Sequence, residues 1–442
     1  MRFAFHSLDG DSLFYWARLV DEGHEVLVYI KNTPNKLVGD GIVKKTNNLM
    51  EWQSWGLRDP KTVFVFDVTG SGELADSLRR RGALVVGGSK FMDRLEHDRA
   101  WGEGVAESLG ITVPKCENFS SIPDALRRAK SLDGEWVFKT DHYLEGAATY
   151  LAESGEDMAA YLTGLHKRFG NGGKCLLARK IPGVAISTCG WWNGHEFVYP
   201  LCGDIEHKKF LNDDLGPNTG CSFNVIWPYK GDRDSQPRVV KELKWDAVEA
   251  FFRHSQATPG LYDINALISD EDGEAYFLEW TPRFGYDSEP TTQRILTMEL
   301  GEFFYKLATG ELREAPFDPG KMAFGIRVTL PPYPYEWVEE KSGKRTCVGT
   351  PVLGADGLWD GFFVGMGVRE TKSDLEVASP TGIVSIGVTA GTDLAKMDKA
   401  VNDYLKDELK VPNRQWRTDA TPRIQEDQKR LAKLGYRSLL GA

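Results

Sequence analysis

Four oxygen-bearing side chains, Asp263, Asn265, Glu279 and Thr281, fall at period-two spacing within residues 261–281. Residues 261–268 and 274–281 read as strands joined by the turn Ser269-Asp270-Glu271-Asp272-Gly273, which makes a β-hairpin. Side chains alternate faces along a strand, so Asp263 and Asn265 share one face, and Glu279 and Thr281 share a face of the partner strand. If the two faces coincide, four hard oxygen donors converge, a set suited to Mg²⁺ held partly by protein and partly by nucleotide phosphates. Glu279 stands between Leu278 and Trp280, and a carboxylate in such an apolar run needs a partner or a metal. The alternative is a solvated polar face on an amphipathic hairpin.

Arg283 follows Thr281 closely and is either a clamp for a phosphoryl group or a surface arginine in a turn. Lys139 ends the apolar run Trp136-Val137-Phe138, placed to meet nucleotide phosphates or to snorkel into solvent. Residues 214–220, Asp214-Leu215-Gly216-Pro217-Asn218-Thr219-Gly220, form a polar loop that either presents backbone N–H groups to an anion or only turns the chain. Residues 7–12 follow the first strand, where ligands bind in parallel sheets, but carry no G-x-G-x-x-G signature, so an ordinary βα turn is equally open.

The elements that must hold these residues begin with strand–helix alternation. Residues 3–5, 26–30, 63–66 and 84–86 are short apolar runs; helical spacing from Leu13 to Val20 stops at Gly23, and from Leu74 to Arg81 at Gly82. Such alternation implies a parallel sheet covered on both faces. One helix is expected over 93–109, ended by Gly110. Strands are expected at 136–139, 175–178 and 185–190, then at 324–330 and 383–389, with a helix over 394–405.

With 442 residues the chain is too long for one core. The apolar share of 41% is that of a globular protein, and no run approaches the ~20 apolar residues of a membrane span. No signal-peptide pattern opens the sequence, so a cytoplasmic location without a membrane partner is expected. The net charge of −10 argues against nucleic acid as a bulk partner. None of the six cysteines sits in a C-x-x-C pair, which points to free, mostly buried thiols, and the 13 tryptophans read as core.

Several of these segments, in order, resemble glycinamide ribonucleotide synthetase (phosphoribosylamine–glycine ligase), a family of ATP-grasp ligases. Residues 206–220, Glu206-His207-Lys208-Lys209-Phe210-Leu211-Asn212-Asp213-Asp214-Leu215-Gly216-Pro217-Asn218-Thr219-Gly220, resemble an active-site segment of that family. Leu278-Glu279-Trp280-Thr281-Pro282-Arg283-Phe284-Gly285 is similar to its metal-binding stretch. Residues 88–90 with 95–96, then 110–114, resemble the entry to its ATP-grasp region, 137–141 resemble the strand that bears its nucleotide lysine, and 382–389 resemble its C-terminal domain. The resemblance implies an α/β multidomain chain with the ATP-grasp fold, a Rossmann-like βαβ domain at 1–95 and a β-rich domain at 316–442. Between them it implies an ATP-grasp domain at 96–315, whose lid spans about 115–190.

The resemblance also implies roles. Glu279 would hold Mg²⁺ (or Mn²⁺), helped by Asp263 or Asn265, with Thr281 standing where the family has a metal-binding Asn. Lys139 would meet the phosphates of ATP, with Gly146 in the phosphate loop and Lys180 and Ile181 in the hinge around adenine and ribose. Arg283 would steady an acyl phosphate, with His207 and Lys208 near the phosphates or the amine. Asp214, Pro217, Asn218, Thr219, Gly220 and Asp287 would border the substrates. The partners implied are a carboxylate, glycine or another amino acid, and an amine acceptor, phosphoribosylamine or a related nucleotide amine, on a monomer or homodimer.

The chain departs from the pattern on nucleotide and substrate contacts. The phosphate-loop lysine is missing at Gly146-Ala147-Ala148, the acidic hinge residues are gone, and Cys221 replaces a glycine. A ligase repurposed to a modified nucleotide or nucleobase, and an inactive ATP-grasp binding protein, are therefore the alternatives.

Overall fold

Continuous apolar runs build the N-terminal sheet. The strands β1 (Arg2–Ser7), β2 (Glu25–Ile30), β3 (Lys44–Lys45), β4 (Val63–Phe66) and β5 (Leu84–Val86) lie in the order β3-β2-β1-β4-β5, all pairs parallel. Helix Leu13–Asp21 carries the chain from β1 to β2, and helix Gly72–Arg80 from β4 to β5. The strand order therefore reverses between β1 and β4. The computed structural model describes residues 1–140, 149–231, 233–334, 347–372 and 374–436.

Next come β6 (Cys116–Phe119), β7 (Trp136–Thr140), β8 (Thr149–Ala152) and β9 (Cys175–Arg179), an antiparallel sheet in the order β6-β9-β7-β8. Helices Ile122–Ala129 and Gly155–Phe169 accompany it, and Ile122, Phe138, Met158, Leu162 and Leu177 share a small core of their own. Both helices start on a serine, Ser121 or Ser154, whose hydroxyl accepts from a backbone N–H of the first turn, a cap worth about 1 kcal/mol.

The remaining strands are β10 (Gly183–Trp192), β11 (Phe197–Leu211), β12 (Leu215–Pro228), β13 (Gly260–Ser269), β14 (Ala275–Trp280), β15 (Met322–Thr329), β16 (Pro351–Val352), β17 (Phe363–Gly365), β18 (Val368–Glu370), β19 (Leu375–Val377) and β20 (Ile383–Gly391). Eight of them form one antiparallel sheet, β14-β13-β10-β11-β12-β15-β20-β17, so strands on both sides of residue 316 share it. The other three make a small sheet, β16-β19-β18.

On β13, Tyr262, Ile264 and Ala266 alternate with Asp263 and Asn265, and the first set is fully buried. Behind it pack Phe252, 4.6 Å from the Tyr262 ring, and Trp192, 5.6 Å from Phe252, with Phe197 and Trp245 beyond. Burying each such side chain contributes about 1.5–3 kcal/mol. The sheet thus has an aromatic back and leaves its polar positions to the front. Trp16, Trp52, Trp192, Trp245 and Trp280 are all fully buried, in keeping with the core reading of tryptophan, and none of the six cysteines is in a disulfide.

Two expectations are corrected. The single helix over 93–109 is two, Lys90–His97 and Arg99–Ser108, because Asp98 leaves helical geometry and its carboxylate caps the second by accepting from the Trp101 N–H at 3.2 Å. Residues 214–220 are not a free loop. The turn is Asn212–Asp214, with Asp213 and Asp214 at φ 61° and 54°, a region that Asp tolerates, and β12 begins at Leu215.

Candidate active site

Asp204, Ser187, Asn265 and Glu279 stand opposite one another in register across β11, β10, β13 and β14. Antiparallel pairing puts directly opposed residues on one face, so this row runs along the front of the sheet. The Asn265 Oδ1 accepts from the Ser187 hydroxyl at 2.9 Å, and its Nδ2 donates to Thr281 Oγ1 at 2.9 Å and to Asp263 Oδ2 at 3.2 Å. Thr281 Oγ1 donates to Asp263 Oδ2 at 2.9 Å.

The hairpin therefore brings its four polar side chains together, but in two roles. Asn265 and Thr281 spend their polar atoms on neighbours and fix Asp263. Oδ1 of Asp263 is buried with no hydrogen-bond partner, and burial, eased by the Thr281 bond, raises its carboxyl to about 7.

Glu279 meets cations instead. Arg99, the first residue after the Asp98 break, places Nη1 3.2 Å from Glu279 Oε2. Burial works to raise Glu279, but Lys208, Arg99 and Lys139 together outweigh it and hold the carboxyl at about 2. Lys139 reaches across from β7 and donates from Nζ to the Leu278 carbonyl at 3.0 Å. Burial, with Arg99 and Lys208, lowers the Lys139 ammonium, and Glu279 opposes them.

Charges at period two on β11 extend the site. Asp204, Glu206 and Lys208 share the front face, with Lys208 Nζ 3.9 Å from Glu206 Oε2. Burial and the neighbouring acids raise Asp204 far above the carboxylate range, and its Oδ1 has no partner. Burial opposes the charge on Lys208, and Glu206 and Glu279 outweigh it, so the ammonium is held above its ordinary value.

Arg283 is anchored, its Nε 2.9 Å from Glu96 Oε1 and its guanidinium 4.7 Å from the centre of the Tyr286 ring. Asp287 is buried and grips Arg327 through two bonds, Nε to Oδ1 at 2.9 Å and Nη2 to Oδ2. A Cβ on Gly220 would lie 3.5 Å from that guanidinium, which puts Gly220 beside the pair.

Other expected residues lie elsewhere. His207 points to the opposite face from Lys208, because neighbours on a strand alternate. Its Nε2 is 2.8 Å from Asp427 Oδ2 in helix Ala420–Lys433, its Nδ1 is 3.5 Å from Asp214 Oδ1, and its ring stacks on Phe223. Arg417 Nη1 completes the cluster at 2.7 Å from Asp214. His207 and Asp214 are thus turned away from Lys208 and tie the hairpin to the C-terminal helix. Asn218 is exposed opposite Lys209, beside Pro217, while Thr219 Oγ1 donates to the Lys208 carbonyl at 2.8 Å and so supports that lysine's strand. Lys180 pairs with Glu135 at 2.7 Å and, with Ile181, forms the connection from β9 to β10. Gly146 lies outside the described residues.

Sequence reasoning did not single out Arg99, Asp204, Asp67 or Arg327 as site residues, and it offered Asp11 and Glu206 only within the segments 7–12 and 206–220. The period-two charges at 204, 206 and 208 were a signal, as was an arginine inside the apolar run of β15. Arg99 gave none, since its partner lies 180 residues away.

The donors fit Mg²⁺ in their chemistry. Mg²⁺ takes one or two protein carboxylates and completes its shell with water and phosphate. The unpartnered Asp263 Oδ1 and the ionised Glu279 supply two carboxylates, and no group of three or more His, Cys, Asp or Glu suited to a metal occurs among the described residues. No helix among them is long and apolar enough to cross a membrane.

No family model matches the chain. A phosphoribosylamine–glycine ligase from Halalkalibacterium halodurans is 24% identical over 268 residues, 59% of this chain and 61% of the relative, so the chain spans about three-fifths of that relative's length. The solved phosphoribosylamine–glycine ligase of Thermotoga maritima superposes with a TM-score of 0.69 at 19% identity, covering 95% of this chain and 100% of that one. The N5-carboxyaminoimidazole synthetase of Staphylococcus aureus, solved with ADP, gives 0.58 at 11% identity over 92% of this chain and 98% of its own. The fold is the ATP-grasp fold. In sequence and in fold, this chain is similar to phosphoribosylamine–glycine ligases.

Proposed function

We propose that the protein is an ATP-dependent carboxylate–amine ligase that forms an amide through an acyl phosphate. The observation that carries this reading is the convergence of Lys208, Lys139 and Arg99 on Glu279, beside the unpartnered oxygen of Asp263. Three cations around two acids suit the phosphates of ATP and one divalent ion.

In the reaction, a carboxylate oxygen attacks the γ-phosphorus, the bond to ADP breaks, and an acyl phosphate forms. The amine nitrogen then attacks the acyl carbon, phosphate leaves, and the nitrogen gives up its proton. Charge spreads over the transferring phosphoryl group, so positioning and electrostatic stabilisation do most of the work. Lys139 and Lys208 bring positive charge from β7 and β11 to the same face. Glu279 and Asp263 would hold Mg²⁺, which when bound neutralises phosphate charge. Arg283, held by Glu96, would steady the acyl phosphate. The hinge at Lys180 and Ile181 joins the β6–β9 sheet to the large sheet, and closing there would exclude water from an intermediate that hydrolyses readily. The relatives' name makes glycine the first carboxylate to try.

The test is ADP release with ATP, Mg²⁺ and glycine or other amino acids, with hydroxylamine as the amine that traps acyl phosphate as hydroxamate. Both products should form, and both should vanish in Glu279→Ala and Glu279→Gln. Hydroxamate at full rate in these variants removes Glu279 from the site; no ADP with any acid rejects the ligase reading.

A further inference from the structure

The ion pair of Arg99 with Glu279 is built unlike the closed pair of Arg327 with Asp287. Arg327 grips its acid with two donors, Nε and Nη2, and the side chains are 5% and 2% exposed. Arg99 meets Glu279 through Nη1 alone, 3.2 Å from Oε2, and the two side chains keep 21% and 33% of their surface open. A guanidinium is a planar fork of N–H donors, and the other donors of Arg99 have no hydrogen-bond partner among the described residues.

The helix gives Arg99 no other reason for its place. Arg99 opens helix Arg99–Ser108, and the first turn is the end where the helix dipole disfavours a cation. Glu103 lies one turn on along the same helix face, but it accepts from the Cys116 thiol at 3.5 Å rather than from Arg99. Arg99 thus passes over the acid of its own helix for one on β14. Lys208 and Lys139 also bear on Glu279, so the charge of that carboxylate does not depend on Arg99 alone.

We infer that Arg99 is a stand-in for the divalent ion: its guanidinium holds Glu279 until the metal takes the carboxylate, and then turns its fork to a phosphate of the nucleotide. This exchange of partners rests on the ligase reading, which gives Glu279 the metal. A guanidinium and a divalent ion repel each other over one carboxylate, so the two compete for Glu279. Metal alone must displace Arg99 without compensation, whereas nucleotide offers the released fork two oxygens of one phosphate. Arg99 thereby couples metal binding to nucleotide binding.

Two titrations of the full chain test this: Mn²⁺ without nucleotide, with the free ion counted by electron paramagnetic resonance, and ATP in the presence of EDTA, followed by calorimetry. Arg99→Gln should bind Mn²⁺ about fivefold or more tightly than the wild-type chain, and ATP about fivefold or more weakly. Arg99→Lys, which keeps the charge on a shorter stem, should shift Mn²⁺ affinity in the same direction by less, and it carries the test if Arg99→Gln does not fold. A merely structural pair would lower Tm without tightening Mn²⁺. Unchanged or weaker Mn²⁺ binding in the Arg99 variants, or unchanged ATP binding in Arg99→Gln, overturns the proposal. Mn²⁺ bound by the wild-type chain and lost in Glu279→Gln, with no tightening in Arg99→Gln, sinks this inference alone. Mn²⁺ binding that is absent from every chain, or untouched by Glu279→Gln, removes the metal role of Glu279 and with it both readings.

Discussion

Lys139 and Leu278 are joined by a hydrogen bond from the lysine Nζ to the backbone carbonyl at 3.0 Å, so a cation from the β6–β9 sheet closes onto the strand that carries Glu279. A bound nucleotide would compete for that cation. Lys139→Met keeps the apolar stem and removes the charge. It should weaken ATP about 10- to 100-fold in a nucleotide titration, the range of one charge-assisted hydrogen bond, with little change in Tm. Unchanged affinity would separate Lys139 from the phosphates.

The buried acid at the sheet reversal sets a pH dependence. Asp67 has a folded value of about 7, above its unfolded one, so the folded state binds the extra proton. Stability from this group therefore falls as pH rises from about 4 through about 7. Asp67→Asn removes the effect and should raise Tm by about a few degrees at pH 8 and by less at pH 5. An equal shift at both pH values would mean that Asp67 is not held protonated by the fold.

His207 sits between Asp427 and Asp214. Burial opposes its charge, but the two carboxylates outweigh it and raise the imidazolium above its ordinary value. The stability it adds is complete below the unfolded value of about 6.5 and is lost as pH rises through the higher folded value. Urea midpoints at pH 6 and pH 8 should differ by more in the wild-type chain than in His207→Gln. Its hydroxamate activity should be affected far less than that of Glu279→Gln, since the ring faces away from the sheet's front.

The Asp287–Arg327 pair is buried on both sides, with side chains 2% and 5% exposed. Removing one partner strands the other charge, so Asp287→Ala should cost about 3–5 kcal/mol by urea unfolding. Asp287→Leu combined with Arg327→Met should recover much of that loss. A mild Asp287→Ala phenotype would show that water reaches the guanidinium.

The parts of this protein that were legible in its sequence are those whose rule is local. The 261–281 hairpin follows from period-two alternation and a five-residue turn, and the N-terminal sheet from apolar runs spaced by helices. Asp98 escaped because a capping aspartate inside a helical-period run looks like one more solvent-face residue. The resemblance put His207 and Lys208 together near the phosphates or the amine, whereas the strand turns His207 toward Asp427 and Lys208 toward Glu206. Reading 214–220 as loop hid that parity. The ties from His207 to Asp427 and from Arg417 to Asp214 span 220 and 203 residues, beyond any local pattern.

The four-strand row of Asp204, Ser187, Asn265 and Glu279 makes the site all-or-none in register. A one-residue slip in any of these strands would carry its member to the aromatic back of the sheet. Point substitutions in the row are thus open to evolution in a way that single-residue insertions within these strands are not, and length variation that preserves the site belongs in the turns, such as Asn212–Asp214 at the hairpin tip.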